Sequence, residues 1–125
     1  MEAGERGLGR TLRFKKRYLA MILEGRKRGT IRLGRLRVRH RVVTIVGDGG
    51  PVAVARIDDV VHKKVRDLTD EDARLDGFNG LAELFRELRR IYGDFTLEDD
   101  VTVIRFTLLR LLGGRAAPGE RRGLG

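Results

Sequence analysis

The chain has 125 residues, which is the length of one domain, and 41% of them are hydrophobic, enough for one modest core. It contains no cysteine, which excludes disulfide frameworks, thiolate metal sites and thiol catalysis. The formal net charge of +9 is unevenly distributed: residues 13–41 hold twelve basic side chains and one acidic, whereas residues 48–100 hold fourteen acidic and eight basic. This asymmetry predicts a cationic face that binds a polyanion, RNA first, with DNA or an acidic protein as the alternative. An ion-pair-rich surface, as in thermophilic proteins, is the other interpretation.

Both ends of the chain are rich in glycine and arginine and poor in apolar residues, so residues 1–10 and 113–125 are predicted to be flexible tails. The folded unit is then residues 11–112. No apolar run approaches the roughly 20 residues that cross a bilayer, and the N-terminus lacks the apolar stretch of a secretory signal. We therefore expect a soluble, cytoplasmic protein with no membrane partner.

The first predicted element is a helix over about residues 15–24, where apolar side chains recur at helical spacing and Gly25 follows as a terminator. Residues 27–33 then have an extended pattern. Basic and apolar residues alternate strictly over residues 35–42, which predicts a half-buried strand. Its cationic outer face would repeat at about 6.5–7 Å, a spacing that suits an RNA backbone: Arg35, Arg37, Arg39 and Arg41. After a glycine-rich turn, residues 52–61 form the returning strand.

Thr69 is followed by three acidic residues, which is typical of a helix start, and this short helix is expected to end near Gly77. Asn79 is the expected cap of a second, amphipathic helix that ends at Gly93. The last predicted strand runs over about residues 101–111. This order of elements indicates an α+β fold, a mixed sheet or barrel with flanking helices, and not a doubly wound parallel sheet.

The candidate site is residues 23–32, in which two glycines let the backbone turn sharply and approach a ligand closely. Its arginines are predicted to bind nucleic acid together with those of the basic strand: Arg26, Arg28 and Arg32. Lys27 and Thr30 add an amine and a hydroxyl. On an ideal strand these two face opposite sides, and they converge only if Gly29 supplies a bulge or kink. Solvated cations and an ordinary strand threonine are the alternative interpretation.

Two motifs carry a family resemblance. Residues 22–32 read ILEGRKRGTIR, in which a helix ends in Gly-x-Lys and is followed by a hydroxyl and an arginine. Residues 68–78 read LTDEDARLDGF and precede an amphipathic helix that ends in Ile91 and Tyr92. The order and spacing of these motifs resemble the ASCH domain family over about residues 12–109. The resemblance implies a PUA-like β-barrel, a cleft between barrel and helices, and an association with RNA metabolism.

One branch of small bacterial ASCH proteins removes the acetyl group from N4-acetylcytidine, and the resemblance extends to the residues used there. In that branch a lysine is the base, a threonine three residues later is the nucleophile, and a distant glutamate donates a proton. These positions fall on Lys27, Thr30 and Asp76, the last being one methylene shorter than glutamate. Net charge favours RNA or nucleotide binding as the function, and the lysine–threonine spacing favours an amidohydrolase as the alternative.

His40 and His62 are the only histidines, and neither has partners at ligand spacing, so no metal and no cofactor is expected. Among the aromatic residues, Phe78 is the candidate for stacking on a base. Tyr18 and Tyr92 occupy apolar helical positions and are expected to pack in the core.

Overall fold

The computed structural model describes residues 6–113. The strands are β1 (Arg6–Leu8), β2 (Thr11–Arg13), β3 (Gly29–Leu33), β4 (Leu36–Val38), β5 (Val42–Gly47), β6 (Gly50–Lys64) and β7 (Asp100–Leu111). The helices are α1 (Lys16–Leu23), α2 (Asp70–Leu75) and α3 (Leu81–Tyr92), and a single 3₁₀ turn, Val65–Asp67, precedes α2.

The central sheet has five strands in the order β2-β5-β6-β7-β3, and β1 and β4 form a separate parallel pair. Only β2 and β5 are parallel in the central sheet; its other neighbours are antiparallel. The 15-residue strand β6 shifts register against β7 at two places, next to Ala55 and next to Asp59. Such irregularities bend a strand and increase its twist, so the sheet curls into a half-barrel. The predicted α+β class is confirmed.

Two apolar cores pack against this sheet, and β7 contributes to both because its successive side chains point to opposite faces. The first core joins α1 to the interior of the half-barrel and includes Leu12, Phe14, Tyr18, Ile22, Ile45, Ile104 and Phe106. The second joins α2 and α3 to β3 and β7 and includes Ile31, Leu75, Leu84, Leu88, Val101 and Val103. Phe78 packs against both cores. The helices therefore sit on two sides of a gap in which a site can form.

The capping signals before the two later helices are confirmed in one case and wrong in the other. Thr69 and Asp72 form a reciprocal capping box at the start of α2, with N–H···O distances of 3.1 and 3.0 Å. The N-cap of α3 is Gly80 instead of Asn79, whose own amide donates to the Glu83 carboxylate at 2.7 Å. The Glu83 carboxylate thus accepts the hydrogen bond of the Asn79 amide just before α3, and the Asn79 side chain does not cap the helix.

The predicted basic strand over residues 35–42 is wrong as a single element. Strand β4 ends at Val38, residues 39–41 form a connection, and β5 begins at Val42. Because β4 pairs with β1 while β5 pairs with β2 and β6, the two halves of the alternating segment belong to different sheets. The side chains of the predicted row remain exposed but do not share one strand face: Arg35, Arg37, Arg39 and Arg41.

Strand β1 lies within residues 1–10, which were predicted to be a tail, so regular structure begins earlier than residue 11. Residues 1–5 and 114–125 lie outside the described part of the chain, and the tail prediction there stays a prediction. None of the helices between residues 6 and 113 has the length and apolar character needed to cross a membrane.

Candidate functional site

A cleft of about 210 Å³ lies between the two edge strands of the half-barrel, β2 and β3, and the helices α1 and α3. Its walls are mostly apolar and aromatic: Phe14, Tyr18, Ile31, Phe78, Leu84, Leu88, Ile91 and Tyr92. The polar side chains that line it are Arg13, Lys15, Lys27, Thr30, Arg32, Asp76 and Glu87. A small apolar pocket with a few convergent polar groups is the usual form of a ligand site.

Two backbone reversals bring Lys27 and Asp76 together across 49 residues of sequence. The loop after α1 folds back so that the Lys27 amide donates to the Met21 carbonyl at 3.1 Å. The next amide, that of Arg28, donates to the Leu75 carbonyl at 2.9 Å and so ties this loop to the end of α2. Gly77 has a φ of +96° and allows the chain to turn immediately after Asp76.

The Lys27 ammonium contacts the Asp76 carboxylate directly and donates a second hydrogen bond to the Asp76 carbonyl oxygen at 3.2 Å. The two residues are only 4% and 5% exposed. The ammonium nitrogen also lies 5.4 Å from the centre of the Phe14 ring and 5.3 Å from that of Tyr18. An opposite charge and two aromatic faces thus replace the water that this lysine loses on folding.

Burial moves the pKa values of both groups toward neutrality. It raises the pKa of Asp76 to about 6, although the charges of Lys27 and Arg32 and hydrogen bonds from Lys27 and the Ile31 amide oppose the shift. Burial also lowers the pKa of Lys27, against the opposing effect of Asp76 and with a smaller contribution from Arg32. Because each carries its charge less readily than in water, a proton passes between the two groups at a smaller cost than in solution.

Thr30 lines the same cleft as this pair, and Arg32 holds its side chain. Its side chain is 4% exposed, and the Arg32 Nε donates to its hydroxyl oxygen at 3.2 Å. The same guanidinium donates to the Arg13 carbonyl at 3.3 Å and lies 5.2 Å from the Phe14 ring centre. Burial lowers the pKa of Arg32, an effect that Tyr92 and Asp76 oppose. Arg32 therefore bridges the two edge strands and orients the threonine hydroxyl.

Strand β3 needs no bulge to achieve this arrangement. Its pairing with β7 is regular from Gly29 to Leu33, and Lys27 precedes the strand, so the alternation of strand faces does not apply to it. Gly29 matters for a different reason, because a Cβ there would lie 2.5 Å from the Ile104 carbonyl oxygen and 2.7 Å from the Leu75 side chain. The glycine allows β3 to approach both β7 and α2.

An ion-pair cluster around Glu87, which lines the cleft, joins α1 to α3. The Glu87 carboxylate contacts Arg17 of α1 and accepts two hydrogen bonds from Arg90, at 3.1 and 2.5 Å. Both arginines also reach the Tyr18 hydroxyl, at 3.1 and 3.4 Å. The hydrogen bonds from Arg90, together with the charge of Arg17, lower the pKa of Glu87. Glu87 therefore remains ionised and already has cationic partners.

The sequence model of the ASCH domain matches residues 8–110. This chain belongs to the ASCH domain family. A crystal structure of an ASCH domain from Lactobacillus crispatus superposes with a TM-score of 0.57 at 19% identity, covering 73% of this chain and 69% of that one. A crystal structure of a protein from Enterococcus faecalis superposes with a TM-score of 0.65 at 16% identity, covering 85% and 75%. None of the curated proteins matches the sequence.

These similarities concern the fold, and they agree with the PUA-like architecture of a curled sheet and flanking helices that the resemblance implied. Within this ASCH domain, the predicted residues separate into two groups. Lys27, Thr30, Arg32 and Asp76 share the cleft. The other predicted arginines are exposed and do not line it: Arg26, Arg28, Arg35, Arg37, Arg39 and Arg41.

Three polar residues of the cleft were missed by the sequence analysis. Arg13 and Lys15 flank the buried Phe14 in a short alternating segment, a signal that could have identified β2 and its exposed face. Glu87 lies on the polar side of α3, and no local pattern distinguishes it from the other charged residues of that helix. Among the described residues, no three histidine, aspartate or glutamate side chains lie close enough together to hold a metal. The expectation of no metal stays a prediction.

Proposed function

We propose that this ASCH domain hydrolyses an amide on a nucleobase, with N4-acetylcytidine as the type substrate. The observation that supports this most is that the buried contact between Lys27 and Asp76 lines the same apolar cleft as the buried Thr30 side chain. The Asp76 carboxylate reaches the lysine although it is one methylene shorter than the glutamate of the related hydrolases. A buried lysine and carboxyl group with shifted pKa values are typical of acid–base chemistry.

In the proposed reaction Thr30 is the nucleophile. The Lys27 ammonium first passes a proton to the Asp76 carboxylate that it contacts, which leaves both groups neutral. The Thr30 oxygen then forms a bond to the acetyl carbon while neutral Lys27 accepts the hydroxyl proton, because a threonine hydroxyl is a weak nucleophile until a base removes that proton. Protonated Asp76 gives its proton to the leaving nitrogen as the C–N bond breaks. The products of this step are the free base amine and an acetylated Thr30, and the Lys27–Asp76 pair is left as ammonium and carboxylate.

Water then completes the cycle. The Asp76 carboxylate accepts a proton from the attacking water, and the ammonium of Lys27 returns its proton to the Thr30 oxygen as acetic acid leaves. Lys27 and Asp76 thereby recover their neutral forms, and the net reaction is amide plus water to amine plus acid. Arg32 keeps the hydroxyl of Thr30 aimed through its 3.2 Å hydrogen bond. The aromatic walls of the cleft suit a flat base.

The test is incubation of the full chain with N4-acetylcytidine and measurement of cytidine and acetate. Thr30→Val removes the hydroxyl and keeps a branched strand residue, so we expect turnover to be lost while the fold is retained. Thr44→Val is the matched control, because Thr44 is a strand threonine outside the cleft. Turnover that persists in Thr30→Val would eliminate Thr30 as the nucleophile. Loss of turnover in both variants would indicate damage to the sheet.

We also propose that the exposed arginines bind RNA. The net charge of +9 and the exposed positions of Arg37 and Arg39 support an electrostatic contact with phosphates. Affinity for a single-stranded RNA oligonucleotide should then fall steeply with salt, and Arg37→Ala with Arg39→Ala should reduce the log–log slope by about 1.4, which is about 0.7 per lost contact. Arg66→Ala with Arg110→Ala is the charge-matched control. Salt-independent binding would argue against this proposal, and equal affinity for DNA would make the contact non-selective.

A further inference from the structure

Two cationic side chains that line the cleft, Arg13 and Lys15, have no carboxylate partner within it. Four cationic side chains and two carboxylates line the cavity: Arg13, Lys15, Lys27, Arg32, Asp76 and Glu87. Both carboxylates have cationic partners, since Asp76 contacts Lys27 and Glu87 contacts Arg17 and Arg90. The cations at the junction of β2 and α1, Arg13 and Lys15, are therefore left without a carboxylate of the cleft.

The remaining contacts of these two residues are weak. The Arg13 guanidinium donates to the Gly47 carbonyl at 3.3 Å and lies 4.0 Å from the Asp48 carboxylate, with the two side chains 68% and 96% exposed. An ion pair of that length and exposure contributes little. Lys15 is exposed and has no ion-pair partner among residues 6–113. Both cations are available to an anion that enters from solvent.

Arg13 and Lys15 also lie close in the chain to the segment that contacts the reacting groups of the cleft. Arg13 and Lys15 flank the buried Phe14 and point to one side of the extended backbone, where alternate side chains stand about 6.5–7 Å apart. The Arg32 guanidinium, which bonds the Thr30 hydroxyl, donates to the Arg13 carbonyl and so anchors this segment at the cleft. The aromatic walls and the reacting groups line the same cavity, and Phe14, Lys27 and Thr30 among them are buried.

We propose that Arg13 and Lys15 bind the phosphate of a nucleotide whose base enters the cleft, so that the cleft prefers a phosphorylated nucleoside to the free nucleoside. The inference rests on the proposed function, because it names the substrate class of the same cleft. The phosphate belongs either to a free mononucleotide or to a nucleotide within an RNA strand, since both present the same group to two cations. Cations of this kind bind phosphate through charge-assisted hydrogen bonds.

Binding of cytidine 5′-monophosphate and of cytidine, each titrated into the full chain by calorimetry, tests the phosphate contact without any hydrolysis. We expect the monophosphate to bind at least about tenfold more tightly, about 1.4 kcal/mol. Arg13→Gln with Lys15→Gln should abolish this preference, so that the ratio of the two affinities falls to about one. Lys16→Gln with Arg110→Gln removes the same charge outside the cleft and should preserve the preference.

Equal affinities for the two ligands, absence of monophosphate binding, or a preference that survives in the Arg13 and Lys15 double variant would each overturn the inference. The hydrolysis assay with N4-acetylcytidine is independent of this result, so failure of the proposed function and failure of the phosphate contact are distinguished. A cytidine trinucleotide with no terminal phosphate separates the two sources. Binding at least as tight as that of the monophosphate indicates an RNA strand, and tenfold weaker binding indicates a mononucleotide.

Discussion

Replacement of Asp76 by asparagine removes one charge of the buried pair and nearly keeps the shape of the side chain. Lys27 and Asp76 are 4% and 5% exposed, so water cannot compensate a lysine left alone. Removal of one partner from a buried pair costs about 3–5 kcal/mol. Lys27 can instead release its proton, which at pH 7 costs about 4.6 kcal/mol from the ordinary lysine pKa and limits the penalty. The Phe14 and Tyr18 rings still stabilise the ammonium, and we therefore expect a loss of about 3 kcal/mol.

The assay is urea unfolding at pH 7, followed by circular dichroism. We expect the midpoint to fall with an unchanged m-value, because the loss concerns stability and not the surface exposed on unfolding. With an unfolding entropy of about 2.1 cal/mol/K per residue, a loss of 3 kcal/mol lowers Tm by about 12 °C. Glu98→Gln is the control: it breaks an ion pair with Arg66 whose side chains are 56% and 62% exposed, so it should cost less than about 1 kcal/mol.

The pH dependence of the stability of the Asp76→Asn variant distinguishes an unpaired buried charge on Lys27 from a packing defect. In the Asp76→Asn variant burial still lowers the pKa of Lys27, while the unfolded lysine titrates near its ordinary value. At a pH between the folded and the unfolded pKa of Lys27, the unfolded state holds one proton more than the folded state. The free energy of unfolding of the variant therefore rises by about 1.4 kcal/mol per pH unit in this range. A loss below about 1 kcal/mol at pH 7, or a loss that is the same from pH 7 to pH 10, would refute the reasoning.

Three further outcomes are expected. The profile of kcat/KM against pH should be bell-shaped. The acid limb lies near pH 6, where the Lys27–Asp76 pair loses its first proton, and the alkaline limb lies below pH 10.5, where the pair loses its second. A profile without the acid limb contradicts this assignment. Gly77→Ala should lower both stability and turnover, because φ is +96° and a Cβ would lie 3.3 Å from the Lys27 Cβ. Gly93→Ala, at φ +79° with open space around a Cβ, should lower stability alone, and urea unfolding with steady-state kinetics distinguishes the two variants. Thr69→Ala should cost about 1 kcal/mol in urea unfolding with kcat unchanged, and a loss of kcat would link the α2 cap to the site.

Much of the fold is predictable because its signals are local. The apolar spacing before Gly25 and Gly93 identifies α1 and α3, since a helix places every third and fourth side chain on one face. The capping box at Thr69 identifies the start of α2 from four adjacent residues. The segment from residue 35 to 42 shows the limit of this approach, because its alternation is a strand pattern that does not specify which partner each half pairs with.

Residues close together in the chain are enough to predict the ASCH family, the order of the helices and the main strands, and the candidates Lys27 and Thr30. The contact between Lys27 and Asp76, 49 residues apart, follows from the packing of distant segments, and so does the place of Arg32 in the cleft, where it donates to the Thr30 hydroxyl. Burial explains why these features are not visible in the chain. The chemical character of a lysine or an aspartate depends on the water it loses and the charges it gains, and the distant segments that pack around it set both.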